Sequence, residues 1–459
     1  MCEGVTSYVE EKLTSGVSVS TMLESFAIDD AWLRSWLMDH NNGREDLEEL
    51  TVGNCTDMIS SWVNHKRGLE EREALCHAAI AGDVSEVQRL LIESKDGSEE
   101  CSWDAEDRFG ITAGEYALYL GRNEVFEVLL ASGVREVVDR FRCELNRSFT
   151  SRRPEMYLLG RAEYGENGCL LDRNRMPVMM PWEKQLMDAH AEHFSGTDFL
   201  NVGFGCGIID ASVQKVVAPR RHVICEAHPT VLAEMGAQGW TSKQGVEIWH
   251  GKWQIEVAKN LAKGACFQTV FYDTHDEGVR EFLEFAQLSS TLLDEKKDGP
   301  LLFSYFNGME FNNIFRHAVY CRAVETYLTT QKYYESVEFI RIPLKFEQDA
   351  WRIWESKVKY FHLKTYFLPL CWKRRKETQT SATIANTVMF TKEDMSDWMK
   401  EGIARGLSFH RSKRGFAEGP VRRKRSSGYG SPSVIGTATA DSLLSSEDHE
   451  HKRTKRQNE

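Results

Sequence analysis

Apolar residues recur at two periods along this chain. In residues 31–67, "AWLRSWLMDH" and "LEELTVGNCTDMISSWVNHKR" place them three and four apart, the spacing of one helix face. From 182 to about 372 the pattern changes. Helical segments such as "WEKQLMDAHAEHF" alternate with the short apolar runs "DFLNVGF", "RHVICEA", "CFQTVFYD", "PLLFSYF", "SVEFIRIPL" and "KTYFLPLCW". Alternation of this kind predicts an open, mostly parallel α/β sheet covered on both faces. The last two runs have little between them and predict an antiparallel hairpin at one edge.

Between these regions lie two copies of one template. "EALCHAAIAGDVSEVQRLLIES" (73–94) and "DRFGITAGEYALYLGRNEVFEVLLASGV" (107–134) each carry a small-residue helix, a glycine step and a second helix ending in Leu-Leu. The second copy opens with an Asp-x-x-Gly-x-Thr turn. The offset between the Leu-Leu pairs is near the roughly 33-residue ankyrin period. The pair resembles ankyrin repeats, which offer a concave surface to other proteins. A plain array of helical hairpins is the alternative.

At 459 residues the chain is expected to hold two or three domains. Its formal charge of -12 disfavours broad nucleic-acid binding and would attract a basic peptide. The 11 cysteines show no CxxC pair or zinc spacing, which predicts reduced thiols in an intracellular protein and no metal site. No apolar stretch approaches the roughly 20 residues of a membrane span, so no membrane partner is expected. The expected divisions are a helical region at 1–70, ankyrin-like repeats at 71–135, a catalytic domain at 136–372 with its core from about 155, and a mostly disordered basic, Ser-rich tail at 373–459. A short amphipathic stretch (390–408) interrupts that tail. Its clusters "VRRKR" and "HKRTKR" read either as a nuclear import signal or as solvated charge, so cytoplasm and nucleus are the expected locations. Nothing calls for a dimer, and a monomer is expected.

Candidate chemistry centres on "FLNVGFGCGIID" (199–210), where a strand meets a helix through three glycines. Glycine lets backbone approach a ligand, and a helix N-terminus offers free N–H groups. Position 208 is Ile208, so the dinucleotide fingerprint G-x-G-x-x-G is not met, and no P-loop lysine is present. Gly-x-Gly-x-Gly is instead the form used by methyltransferases that bind S-adenosylmethionine. "RHVICEAHP" ends in Glu226, roughly 20 residues on, where a carboxylate can accept ribose hydroxyls. "WHGKWQ" offers Gly251, Lys252 and Trp253 to an adenine. "FYDTH" sets Asp273 at a strand's C-terminal end, where such folds do chemistry.

The ordered motifs "PVMMPWEKQLM…FLNVGFGCGII…ICEAHP…HGKW…VFYDTH…FSYFNG", with the preceding repeats, resemble the guanidinoacetate methyltransferase group. Within it they are most similar to the protein arginine N-methyltransferase 2 family (type IV), over about residues 70–372. The resemblance implies a Rossmann-like, S-adenosylmethionine-dependent methyltransferase domain behind an all-α ankyrin module. It implies methylation of the δ nitrogen of arginine in a protein, a ribosomal protein being the usual substrate class, docked through the repeats. It assigns the cofactor to Tyr157, Met179, Met187, Phe204, Gly205, Cys206, Gly207, Ile208, Ile209, Glu226, Ala227, His228, Gly251, Lys252, Trp253 and Asp273. It assigns the guanidinium to Glu183 and Asp273.

That pairing is chemically sound. A guanidinium presents a planar fork of donors that carboxylates match, and it stays protonated at neutral pH. Carboxylates can localise its charge away from the attacking nitrogen and take the proton. The chain departs from the small-molecule relatives at Asn201, where they carry an acid before the glycines, and at His275, where a tyrosine is common. An amide or water is expected to face the cofactor's amino group in place of that acid. No two-glutamate loop or Thr-His-Trp motif is present, which argues against end-nitrogen dimethylation. Two alternatives stand: methylation of a small guanidino metabolite, and an ankyrin adaptor with an inactive cofactor-binding domain.

Overall fold

A computed structural model describes residues 52–93, 102–146, 153–165, 168–345, 363–375 and 390–414, with single positions and short pieces among residues 9–33. Residues 1–413 form one compact unit, and of the second, 414–459, Arg414 alone is described. The expected helix "AWLRSWLMDH", Leu33 excepted, and both basic clusters lie outside the described residues.

After a short helix at Val19–Glu24 come two helical pairs. Helix α1 (Val52–Ala81) runs without a break across position 70 and turns at Gly82 into α2 (Val84–Glu93). Asp83 caps α2 by accepting the Glu86 amide at 3.0 Å. In the second pair Asp107 Oδ1 accepts the amides of Phe109 (2.8 Å) and Ile111 (3.1 Å), closing the Asp-x-x-Gly-x-Thr turn. Thr112 and Glu115 then form a reciprocal capping box that starts α3 (Ala113–Leu120). The left-handed Gly121 ends α3 and leads into α4 (Asn123–Asn146). Helix α1 packs on α3 and α2 on α4, so the pairs stack in register.

A short helix, α5 (Arg153–Leu159), precedes three very short strands, β1 (Glu163–Tyr164), β2 (Leu170–Leu171) and β3 (Pro177–Met179). These make a small antiparallel sheet that the sequence pattern did not reveal. A 3₁₀ turn, Pro181–Glu183, leads into α6 (Lys184–His193).

The main sheet follows: β4 (Asp198–Val202), α7 (Ile208–Val216), β5 (Arg221–Glu226), α8 (Pro229–Ala237), β6 (Val246–His250), α9 (Trp253–Leu261), β7 (Thr269–Tyr272), α10 (Val279–Leu292), β8 (Leu301–Tyr305), α11 (Ile314–Thr330), β9 (Ser336–Pro343) and β10 (Thr365–Arg374). The strand order is β6-β5-β4-β7-β8-β10-β9, parallel from β6 to β8. β4, β7 and β8 are buried along their whole length, as expected of strands covered on both faces. The last two strands pair antiparallel as expected, but β10 enters between β8 and β9. They are also far apart in sequence, since β9 ends at Pro343 and β10 begins at Thr365. Chain order reverses at β4, flanked by β5 and β7, so a crevice opens at the C-terminal ends of these strands.

The helical pairs dock directly on this domain. Gly114 lies against the ring of Phe315 and Gly133 between Trp103 and Val319, contacts too close for a Cβ. A final helix, α12 (Asp397–Arg414), returns to the first pairs. Its His410 meets Asp107 Oδ2 at 2.8 Å and His77 at 2.9 Å, and Arg108 stacks over its Phe409 at 4.5 Å. No described helix is long and apolar enough to cross a membrane.

Candidate active site

The crevice is a cavity of about 1040 Å³, a volume suited to a cofactor together with part of a substrate. One wall is the glycine turn after β4. Gly203 has φ 94°, and a Cβ there would overlap the carbonyl oxygen of Asp273. Gly207 has φ 69° at the N-cap of α7, where a Cβ would run into the Phe204 ring. At Gly205 the Met179 thioether fills the space, its sulfur accepting the Cys206 amide at 3.2 Å. Tyr164 donates to the Gly205 carbonyl at 2.7 Å. These glycines are therefore demanded first by the protein's own packing, whereas the sequence suggested clearance for a ligand. The backbone of Gly203 and Gly205 still forms part of the wall.

Glu226 ends β5 directly beside this turn. Its Oε2 accepts the Phe204 amide at 2.8 Å, and its Oε1 accepts the amides of Ala227 (2.7 Å) and His228 (2.6 Å). Burial raises its carboxyl above the ordinary range, and these three amides pull the other way. The carboxylate thus knits the ends of β4 and β5 together while lining the cavity.

Asn201 corrects an expectation. Its side chain is fully buried and does not line the cavity, donating to the Gly203 carbonyl (2.8 Å) and to both oxygens of Asp210 (3.1 and 2.9 Å). Asp210 in turn meets His222 Nε2 at 2.8 Å. The amide braces the turn from behind and does not replace the missing acid.

Gly251, Lys252 and Trp253 line the wall beyond β6. Trp253 Nε1 donates to Glu277 at 2.9 Å, and Gln254 and Thr274 donate to the same carboxylate at 2.8 and 2.7 Å, joined by the Tyr272 hydroxyl. Glu277, which sequence reasoning missed, is thus saturated by four side chains. Lys252 pairs with Glu155 of α5 at 2.5 Å. That helix covers the cavity with Tyr157, whose ring lies 4.6 Å from the His228 ring and 4.7 Å from His275. Burial lowers the pKa of both histidines.

Glu183 and Asp273 both reach the cavity. Glu183 is 4% exposed, and its Oε1 accepts the Met180 amide at 2.9 Å, so it is no surface helix residue. Asp273 follows β7, and no described residue gives its carboxylate a hydrogen bond. Burial alone pushes its pKa up to about 7. Tyr366 of β10 lies beneath both acids: burial chiefly, then their charges, keeps its phenol protonated. Its oxygen accepts the Asn307 amide at 2.8 Å and lies 3.1 Å from His190 Nε2.

The cavity wall thus unites Tyr157, Met179, Glu183, Gly205, Glu226, Ala227, Gly251, Lys252, Trp253 and Asp273. Met187, Phe204 and Ile209 are buried in the core behind it. Cys206, Gly207, Ile208 and His228 stand around the turns without lining it. The wall also includes the loop after β8, from Phe306 to Asn312, of which the sequence motifs reached only Phe306 to Gly308.

A doubly wound sheet, a glycine turn at its switch point and an acid at the end of the next strand define a Rossmann-like α/β domain. Residues 155–316 match the family model for guanidinoacetate N-methyltransferase. The chain has curated homologues named protein arginine N-methyltransferase 2. That of Emericella nidulans is 37% identical over 208 residues, covering 44% of this chain and 46% of the relative. The Saccharomyces cerevisiae protein is 33% identical over 228 residues, and the Candida glabrata protein 32% over 227, each covering 48% of this chain and 53% of the relative. The chain spans about half the length of these curated relatives.

Proposed function

We propose that this chain transfers a methyl group from S-adenosylmethionine to the δ nitrogen of an arginine in a protein, giving N5-methylarginine. The observation that carries the proposal is the carboxylate of Asp273: at the switch point, on the cavity wall, without a hydrogen bond from a described residue, and sharing Tyr366 as a neighbour with Glu183. An acid left unpaired in a half-buried site suits a cationic ligand, and a guanidinium is a cation with a fork of donors.

The residues also suit the cofactor. Glu226 stands where an adjacent strand end meets ribose hydroxyls, Tyr157 covers the cavity, and the wall is rich in carboxylates facing a sulfonium ligand. When bound, S-adenosylmethionine supplies an electrophilic methyl group. The work of the chain is to hold the nucleophile and remove charge from it. Asp273 and Glu183 pair with the guanidinium and draw its positive charge toward the nitrogens they touch. The nitrogen facing the methyl group thereby regains a lone pair, and its proton passes to Asp273. With its pKa near 7, that carboxyl can take a proton and release it to water at neutral pH. The covering helix α5 excludes water and favours alignment for direct displacement.

The stacking of α1 on α3 and of α2 on α4 supports reading the helical pairs as ankyrin-type repeats that help recruit the protein substrate. A ribosomal protein is our candidate substrate, and a monomer acting in cytoplasm and nucleus our candidate setting. The test is incubation of the purified chain with labelled S-adenosylmethionine and a cell extract, followed by hydrolysis of labelled bands. N5-methylarginine supports the proposal. Methylated end nitrogens, or label confined to small guanidino compounds, overturn it.

A further inference from the structure

The loop between β8 and α11 forms one side of the cavity and is pinned at both ends. At the first, the Asn307 amide donates to Tyr366 (2.8 Å), and its Nδ2 donates to the Phe367 carbonyl (2.9 Å). At the second, Asn313 caps α11 by accepting the Arg316 amide at 2.9 Å. Its Nδ2 then reaches outside the sheet domain and donates to Glu115 Oε2 of α3 at 2.9 Å. The same oxygen receives the Thr112 amide (2.9 Å) and hydroxyl (3.0 Å), and Glu115 and Asn313 are both buried. Beside them Gly114 lets Phe315 pack against bare backbone. The helical pairs therefore touch the sheet domain at the residue where the cavity loop ends.

Between the pins, Glu310 holds φ 56°, a left-handed conformation that a glutamate rarely adopts. Its carboxylate receives no hydrogen bond or ion pair from a described residue, in contrast to Glu226 and Glu277 on the same wall. Strained backbone persists where surrounding structure over-determines it, and both ends of this loop are held.

We propose that the helical pairs act on the reaction by clamping this loop, with Glu115 as a positioning residue that holds Glu310 and its neighbours, through Asn313, in the geometry that receives the cationic substrate. The proposal rests on the guanidinium-methylating reading above. Glu115 needs only an acceptor oxygen for this role, and burial pushes its pKa up to about 7, so loss of its charge alone leaves the clamp in place.

The test uses three full-length single variants and the double variant Asn313→Ser with Glu115→Ala, each checked for cooperative thermal unfolding. Asn313→Ser keeps a hydroxyl to cap α11 but removes the donor to Glu115. Glu115→Ala removes the acceptor, and Glu115→Gln retains one. Amide hydrogen exchange at 308–312 reads the clamp, and KM, kcat and S-adenosylmethionine affinity read the reaction. Loss of one buried hydrogen bond predicts about tenfold faster exchange and about tenfold higher KM for the arginine substrate in Asn313→Ser and Glu115→Ala. Glu115→Gln should behave as wild type, cofactor affinity should be unchanged, and the double variant should be no worse than either single. Unchanged exchange, additive losses in the double variant, or faster exchange with an unchanged KM would overturn the proposal. A wild-type chain that methylates no arginine overturns the reading of the reaction, and the exchange result then judges the clamp on its own.

Discussion

Gly203 and Asp273 meet backbone to backbone at the ends of β4 and β7, with the Gly203 α-carbon against the Asp273 carbonyl oxygen. The glycine turn and the carboxylate proposed to hold the guanidinium are thus one construction: whatever moves Gly203 also moves Asp273. Replacing Gly203 by alanine adds a methyl group at φ 94° into that oxygen. We expect Gly203→Ala to cost about 1–3 kcal/mol of stability, read as a lower midpoint in thermal unfolding. Methyl transfer should fall further than stability, because the displaced group is Asp273 itself.

Glu226 is predicted to link cofactor binding to the fold. Its two oxygens hold three amides, and a glutamine offers only one acceptor oxygen. Glu226→Gln should therefore lose about 1–3 kcal/mol of stability through unsatisfied buried groups. Calorimetric titration should show at least about tenfold weaker binding of S-adenosylmethionine. Cofactor affinity within a factor of about two of wild type would contradict this role.

Legibility differed by element for physical reasons. β4, β7 and β8 announced themselves as continuous apolar runs because both of their faces are buried. β6 did not: it is an edge strand, buried only at Trp249, and "VEIWH" reads as a mixed segment. β1 to β3 are two or three residues each, too short for any periodicity. Among site residues, Glu226 and Asp273 could be located because strand ends in this fold have fixed roles. Glu277 could not, since its importance lies in donors from Trp253, Gln254, Tyr272 and Thr274 that only tertiary packing gathers. Asn201 carried the right position but the wrong inference. Strand alternation does not tell which face of β4 meets the cavity, and the structure turns the amide toward Asp210.

Stability should depend on pH through Asp273 and Glu115. Burial raises both carboxyls to about 7 from ordinary values of 3.8 and 4.5. Between those limits the folded chain holds protons that the unfolded chain has released. The stability contribution of both groups is complete below about pH 4 and is lost as pH rises through about 7. Denaturant unfolding across pH 4–8 should show this decline, with Asp273→Asn and Glu115→Gln flattening it in part. A profile identical in wild type and both variants would refute the assignment.

Activity should run opposite to stability over the same range. Asp273 must be ionised to hold a guanidinium, so kcat/KM should rise with pH to a plateau, with a midpoint near 7 set by the free enzyme. The limb should vanish in Asp273→Asn, whatever residual rate remains. A midpoint near 4 in wild type would mean that the cavity does not desolvate this carboxyl.

The most direct test of the account compares wild type with Asp273→Asn, which keeps the shape of the side chain and removes its charge. Both would be assayed for methyl transfer from labelled S-adenosylmethionine to an arginine-containing protein, with cofactor affinity measured alongside. The account predicts N5-methylarginine from wild type and a loss of at least about a thousandfold in the variant, larger than any loss of cofactor affinity. Transfer that survives in Asp273→Asn at near the wild-type rate would contradict the claim that this carboxylate holds and deprotonates the guanidinium.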